Sequence, residues 1–102
     1  MINSGYIDFE WDPNKAEANI AKHGVSFKEA ATVFSDPYAR VIDDPDHSID
    51  EERFVIIGLS SRASVLTVCH CLRGEGDVIR IISARKATKN ESKQYWRHCH
   101  EG

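Results

Sequence analysis

The amino-acid sequence predicts an α+β fold: two N-terminal helices and one C-terminal helix cover an antiparallel meander of four strands, or five if Tyr6–Glu10 pairs at an edge. Three observations carry this prediction. Two short N-terminal segments repeat apolar residues at helical spacing, each opened by a capping residue. Strand-like runs follow, joined by links too short for a parallel crossover. Thr88 and Glu91 then supply both ends of a capping box, so a final helix begins at Thr88.

Tyr6–Glu10 alternates weakly and suits a short edge strand. Asp12-Pro13 reads as an N-cap followed by a first-turn proline. The helix it opens places Ala16, Asn19, Ile20 and His23 on one face and stops at Gly24. Ser26 and Glu29 open the second helix, whose stripe is Phe27, Ala30, Ala31 and Phe34, and Asp36-Pro37 ends it. A helical hairpin this short needs a sheet to cover.

Arg40–Asp43 reads as a short strand and Asp44–Glu52 as a polar, acidic loop. Arg53–Leu59 and Ser64–Leu72 are strands joined by a turn, and Gly74–Asp77 is a tight link into the run Val78–Ile82. That β-branched run suits a central strand, although Arg80 interrupts it and Arg85 and Lys86 stand at its end. Tyr95, Trp96 and Cys99 form the apolar stripe of the last helix. With no repeat or linker, residues 1–102 read as one domain.

No apolar run approaches the ~20 residues of a membrane span. The acidic N-terminus lacks the basic and apolar regions of a signal peptide, and three cysteines without a spaced framework suit a reducing compartment, so the cytoplasm is expected. The net charge of −3 hides an asymmetry. Residues 1–58 hold 5 Lys/Arg against 12 Asp/Glu, whereas residues 59–102 hold 8 against 4. A basic patch on an acidic body still attracts phosphate locally, because charge interactions are screened beyond about 8 Å at physiological salt.

The candidate residues follow from that patch. Arg80 and Arg85 offer bidentate donors for a phosphate, with Arg73 at the neighbouring turn and Lys86 beside them. On an unbroken strand Arg80 and Arg85, five positions apart, face opposite sides. The structural alternative for Arg80 is an ion pair with Glu10 or Glu52. His23 and His70 are the candidate proton carriers, set against a helix-terminal role for His23. Lys89 and Lys93 extend the positive charge along the last helix. Cys69, Cys71, His98, Cys99 and His100 are soft ligands, but C-x-C and H-C-H lack the spacing of structural zinc, so neither metal nor cofactor is expected.

Three blocks also resemble a known family. FEWDPNKAEANIAKHGVSFKEAATVFSDP (Phe9–Pro37), EERFVIIG (Glu51–Gly58) and VIRIISARKAT (Val78–Thr88) are similar, in combination and order, to the BrnT family of bacterial type II toxins. The resemblance implies a RelE-like fold and a metal-independent endoribonuclease that cuts RNA and inhibits translation. It implies neutralisation by a DNA-binding, BrnA-like antitoxin, in a homodimer or a toxin–antitoxin heterotetramer. Carried over by position, the motif residues are Lys22 and His23, Arg53, and Arg80, Arg85 and Lys86, with Arg73 where relatives place a basic residue. Some members carry a polar or acidic residue where this chain has Leu72, which leaves the general base unassigned. The alternative function is a non-catalytic module that docks an antitoxin or regulator through the same basic surface. A DNA-binding regulator is the weakest reading, since both hairpin helices lie in the acidic half.

Overall fold

The computed structural model describes residues 7–43 and 52–101. Tyr6 and the acidic stretch 44–51 lie outside the described residues. Along the chain come β1 (Asp8–Glu10), α1 (Pro13–His23), α2 (Phe27–Thr32, prolonged by a 3-10 turn over Val33–Ser35) and β2 (Arg40–Asp43). Then follow β3 (Phe54–Leu59), β4 (Val65–Arg73), β5 (Val78–Lys86) and α3 (Lys89–Glu101). The strands form one sheet in the order β1-β5-β4-β3-β2. Strands β2 to β5 are the expected antiparallel meander. The fifth strand is present and joins β5 in parallel, so the sheet is mixed. The short-link argument does not reach this pair, because most of the chain lies between β1 and β5.

The helix boundaries follow from their caps. Asp12 Oδ1 accepts from the Asn14 N–H at 2.8 Å. Gly24 ends α1 at φ 70°, a conformation that costs glycine little. Ser26 Oγ accepts from the Glu29 N–H at 3.0 Å, while the Glu29 carboxylate accepts from Ser60 Oγ and ties α2 to the β3–β4 turn. At α3 the capping box is complete: Thr88 Oγ1 accepts from Glu91 N–H, and Glu91 Oε1 accepts from Thr88 N–H.

The core lies between the α1–α2 hairpin and one face of the sheet. Val25, Phe27, Ala30 and Val33 meet Ile56, Leu66, Val68, Ile79, Ile81 and Ala84. Burying a side chain as large as Phe27 or Leu66 contributes about 1.5–3 kcal/mol. Gly58 lets the hairpin approach, since a Cβ there would stand 2.8 Å from Val33 Cγ1 and 2.9 Å from Ala39 Cβ. Two expected core residues are not buried: Ile20 is 49% exposed and Trp96 is 44% exposed. Both helices bury a narrower strip than their apolar spacing suggested. In α1 only Asn19 is buried, and in α3 only Tyr95.

Asn19 closes the open edge of β5. Strand β1 pairs only with Val78–Arg80, which leaves the rest of that edge without a neighbouring strand. The Asn19 amide takes the place of a strand: Oδ1 accepts from Ala84 N–H at 3.1 Å, and Nδ2 donates to Ala84 O at 2.8 Å and to Val25 O at 2.9 Å. Removing it would strand buried backbone groups, each costing about 1–3 kcal/mol. Asn19→Ala should therefore lower the unfolding free energy by about 2–4 kcal/mol in urea denaturation. A change within ~0.5 kcal/mol, the range of an ordinary surface substitution, would contradict this role.

Candidate nucleic-acid interface

One extra residue in β5 decides which side chains meet. Cys69 pairs with Ser83 and His70 with Ile81, so Ile82 is the unpaired residue of a β-bulge. The bulge resets the alternation: Ile79, Ile81 and Ala84 all point into the core, and Arg80, Ser83 and Arg85 share the opposite face. The regular-strand expectation of opposite faces is thereby corrected.

On that face the register aligns Arg40, Ile57, Thr67 and Arg85 in one row across four strands. Ile42, Val55, Cys69 and Ser83 form the next row. Arg53 joins them, lining an open hollow with Val55, Cys69, Ser83 and Arg85. A mixed floor of Val55, Thr67, Cys69, Ile82 and Ser83 bordered by guanidiniums suits a strand that offers flat bases and anionic phosphates.

Helix α3 covers part of this face and is fixed there by two carboxylates. Arg85 donates from both terminal nitrogens to Glu91, at 2.8 and 3.0 Å. Thr67 Oγ1 donates to the same carboxylate at 2.9 Å. The bond from Arg85 leads the effects that hold the Glu91 carboxyl down at about 2, against the cost of partial burial. Asp36 anchors the other side of the helix. Its Oδ2 accepts from Tyr95 Oη at 2.6 Å and from Leu59 N–H at 2.8 Å. Burial alone would raise the Asp36 pKa, but the bonds from Leu59, Tyr95 and Tyr38 leave it below the ordinary value.

The arginines share the face without converging on one point. Arg85 keeps 41% of its side chain exposed despite its partner. Arg80 bonds Glu10 on β1 at 2.8 Å, the structural pairing foreseen for it, and hydrogen bonding to that carboxylate raises its pKa. Arg73 is exposed at the far end of β4, and alternation from Thr67 through Cys69 and Cys71 gives it the same side. It lies six residues from Thr67, which is about 20 Å along a strand. The face is a track with charges spaced along it, not a three-arginine pocket.

The other candidates lie elsewhere. Lys22 is exposed and His23 half-buried at the end of α1, on the core side of the sheet. His70 is 3% exposed, and its ring stands edge-on to Phe34 at 4.9 Å. Burial depresses its pKa, favouring a neutral core imidazole. Lys86, Lys89 and Lys93 are exposed at the end of β5 and along α3. Among the described residues no three His, Cys, Asp or Glu groups stand together as a metal site. Sequence reasoning overlooked Arg40, Gln94 and Arg97, which border the same face. Their signal was present: Arg40 and Ile42 alternate on one strand, and Gln94 and Arg97 are one helical turn apart.

The Glu91 anchor carries a pH signature. Its carboxyl falls from an ordinary 4.5 to about 2 on folding, so its contribution is full above about pH 4.5 and vanishes as pH falls toward 2. Glu91→Gln should be less stable than the parent at neutral pH, and the gap should close across that window in chemical denaturation. A gap that stays constant down to about pH 2 would contradict the pairing.

Comparison with known proteins agrees with this architecture. No curated protein sequence matches the chain. The 1.1 Å crystal structure of the Brucella abortus ribonuclease toxin BrnT has a similar fold, with TM-score 0.62 and 27% sequence identity. The match covers 82% of this chain and 100% of that one. Residues 11–91 match the sequence model of BrnT, the ribonuclease toxin of type II toxin–antitoxin systems. The chain belongs to the BrnT ribonuclease toxin family.

Proposed function

We propose that this chain is an endoribonuclease that cuts RNA without a metal ion, thereby inhibits translation, and works as a single domain in the cytoplasm. The observation that carries the reading is the arginine-bordered, partly uncovered sheet face in a member of a ribonuclease toxin family. RNA supplies its own nucleophile. The 2′-OH attacks the adjacent phosphorus, its proton departs, and the P–O5′ bond breaks as the 5′ oxygen gains a proton. The products are a 2′,3′-cyclic phosphate and a 5′-OH. Negative charge grows on the non-bridging oxygens in the transition state, and fixed guanidiniums stabilise it.

Arg85 and Arg53 are assigned to the scissile phosphate, because they flank the same hollow. Arg80 and Arg73 hold the strand along the face. Lys86, Lys89 and Lys93 attract the backbone without reading sequence. The Glu91 carboxylate places the Arg85 guanidinium and is a positioning group, since a carboxyl titrating at about 2 is a weak base at neutral pH. Of the two histidines singled out in the sequence, His70 is assigned to packing and His23 to the end of α1. With neither on the arginine face, solvent at the open hollow takes and returns the protons in this reading.

Membership of a type II toxin–antitoxin family implies an antitoxin partner. In this reading the antitoxin, BrnA-like and DNA-binding, inhibits by covering the arginine face.

Arg85→Ala and Arg53→Ala should each lower kcat/KM on single-stranded RNA by about 10²-fold, the scale of losing one transition-state donor. Cleavage should persist in excess EDTA and leave cyclic-phosphate ends. His70→Phe should keep cleaving. Wild-type rates from both arginine variants would refute the assignment, and so would a reaction abolished by EDTA. Folding is checked beside each by circular dichroism.

A further inference from the structure

The β2 end of the row that Arg85 begins has no role in the site assigned so far. Arg40 and Arg97 line one cavity there with Gln94, His98 and Glu101. Its volume is about 290 Å³. Liquid water occupies about 30 Å³ per molecule, so a hydrated phosphate fits. We propose that Arg40 and Arg97 form a second phosphate subsite, which holds the backbone of the same RNA strand away from the scissile bond. The proposal rests on the ribonuclease reading and extends it.

Position is the first argument. Arg40 ends the row that Arg85 begins, and Ile57 and Thr67 lie between them. Three interstrand steps of about 4.8 Å separate their backbones by about 14 Å. Both arginines therefore stand on the same side of the sheet at opposite ends of one row, whose middle residues Ile57 and Thr67 are buried beneath α3. Along the edge of α3, Arg40 and Gln94 also line a narrow neighbouring hollow, together with Ile42, Ile57, Glu91 and Tyr95. Glu91 is the residue that holds Arg85. Ile42, 45% exposed, adds an apolar surface on which a base can rest.

Charge is the second. Arg80 and Arg85 each have a carboxylate partner at 2.8 Å, so a phosphate must share or displace it. Among the described residues neither Arg40 nor Arg97 makes an ion pair, and both are exposed. Their guanidiniums can take a phosphate without breaking a bond inside the protein. Glu101 lines the cavity too and opposes part of this charge, leaving two cations against one carboxylate.

The test uses 2′-O-methyl oligoribonucleotides, which lack the attacking hydroxyl and bind without being cut. Two lengths, about 4 and about 12 nucleotides, bracket common single-strand site sizes. Arg40→Gln combined with Arg97→Gln should weaken the long probe about tenfold and the short one far less. The slope of log K against log salt should become shallower by about 0.7 for each phosphate that the double variant no longer neutralises. Lys28→Gln combined with Arg62→Gln removes the same charge beside α2 and should leave both affinities within about twofold. Equal losses from the two double variants, or no loss from the first, would overturn the subsite. Intact RNA binding with weakened antitoxin binding in Arg40→Gln/Arg97→Gln would also overturn it, in favour of a protein-docking surface. If the unmodified protein binds neither probe, the ribonuclease reading falls and the subsite with it. A binding protein with an unaffected double variant removes the subsite alone.

Discussion

The single unpaired residue of β5 sets what both faces of the sheet can do. Strand alternation demands that a chain burying Ile79 and Ile81 also bury the residue at position 83. The bulge at Ile82 shifts that demand to Ala84. One side of the strand then keeps an unbroken contact with α1 and α2. The other side carries Arg80, Ser83 and Arg85 together. Without the bulge, either Arg85 would enter the core or the lower half of β5 would lose its packing, and a buried unpaired guanidinium is far more costly than an unpaired ladder position.

The bulge only presents the arginines; carboxylates decide how they stand. Glu91 caps α3, accepts from Thr67 and grips Arg85, so one side chain joins the start of the helix to two strands. Asp36 does the same farther along through Tyr95 and Leu59. Between them they hold α3 across one part of the sheet and leave the Val55–Cys69–Ser83 region open. On a chain whose net charge is −3, two acids beside this face, Glu91 and Asp36, are thus tied to the side chains that position α3.

Most of the fold was legible in the sequence, for local reasons. Caps at Asp12, Ser26 and Thr88 and the glycine at position 24 act within a few residues, so helix starts and stops follow from spacing. The short links dictated the meander. Other features depend on partners far along the chain. The parallel sense of β1 depends on contacts some 70 residues away, and so does the use of Asn19 as a surrogate strand. The pairing of Arg80 with Glu10 was foreseen as an alternative, because a carboxylate in a neighbouring strand is the ordinary partner for such a group. That His70 is buried against Phe34 was not legible, because strand alternation marks a side without saying which side is covered. Arg40 and Arg97 were overlooked because neither sits in a recognisable motif, and only the register sets them at the end of the Arg85 row.

The central claim is that RNA lies on the sheet face opposite the helical hairpin. Titration of a 2′-O-methyl oligoribonucleotide into isotope-labelled protein, followed through the arginine Nε–H and backbone amide resonances, tests it most directly. Shifts are expected at Arg53 and Arg85, with smaller ones at Arg80, and none at Lys22 or His23 beyond those of a distant site. Perturbations confined to the α1–α2 side, with the arginine signals unmoved, would contradict it.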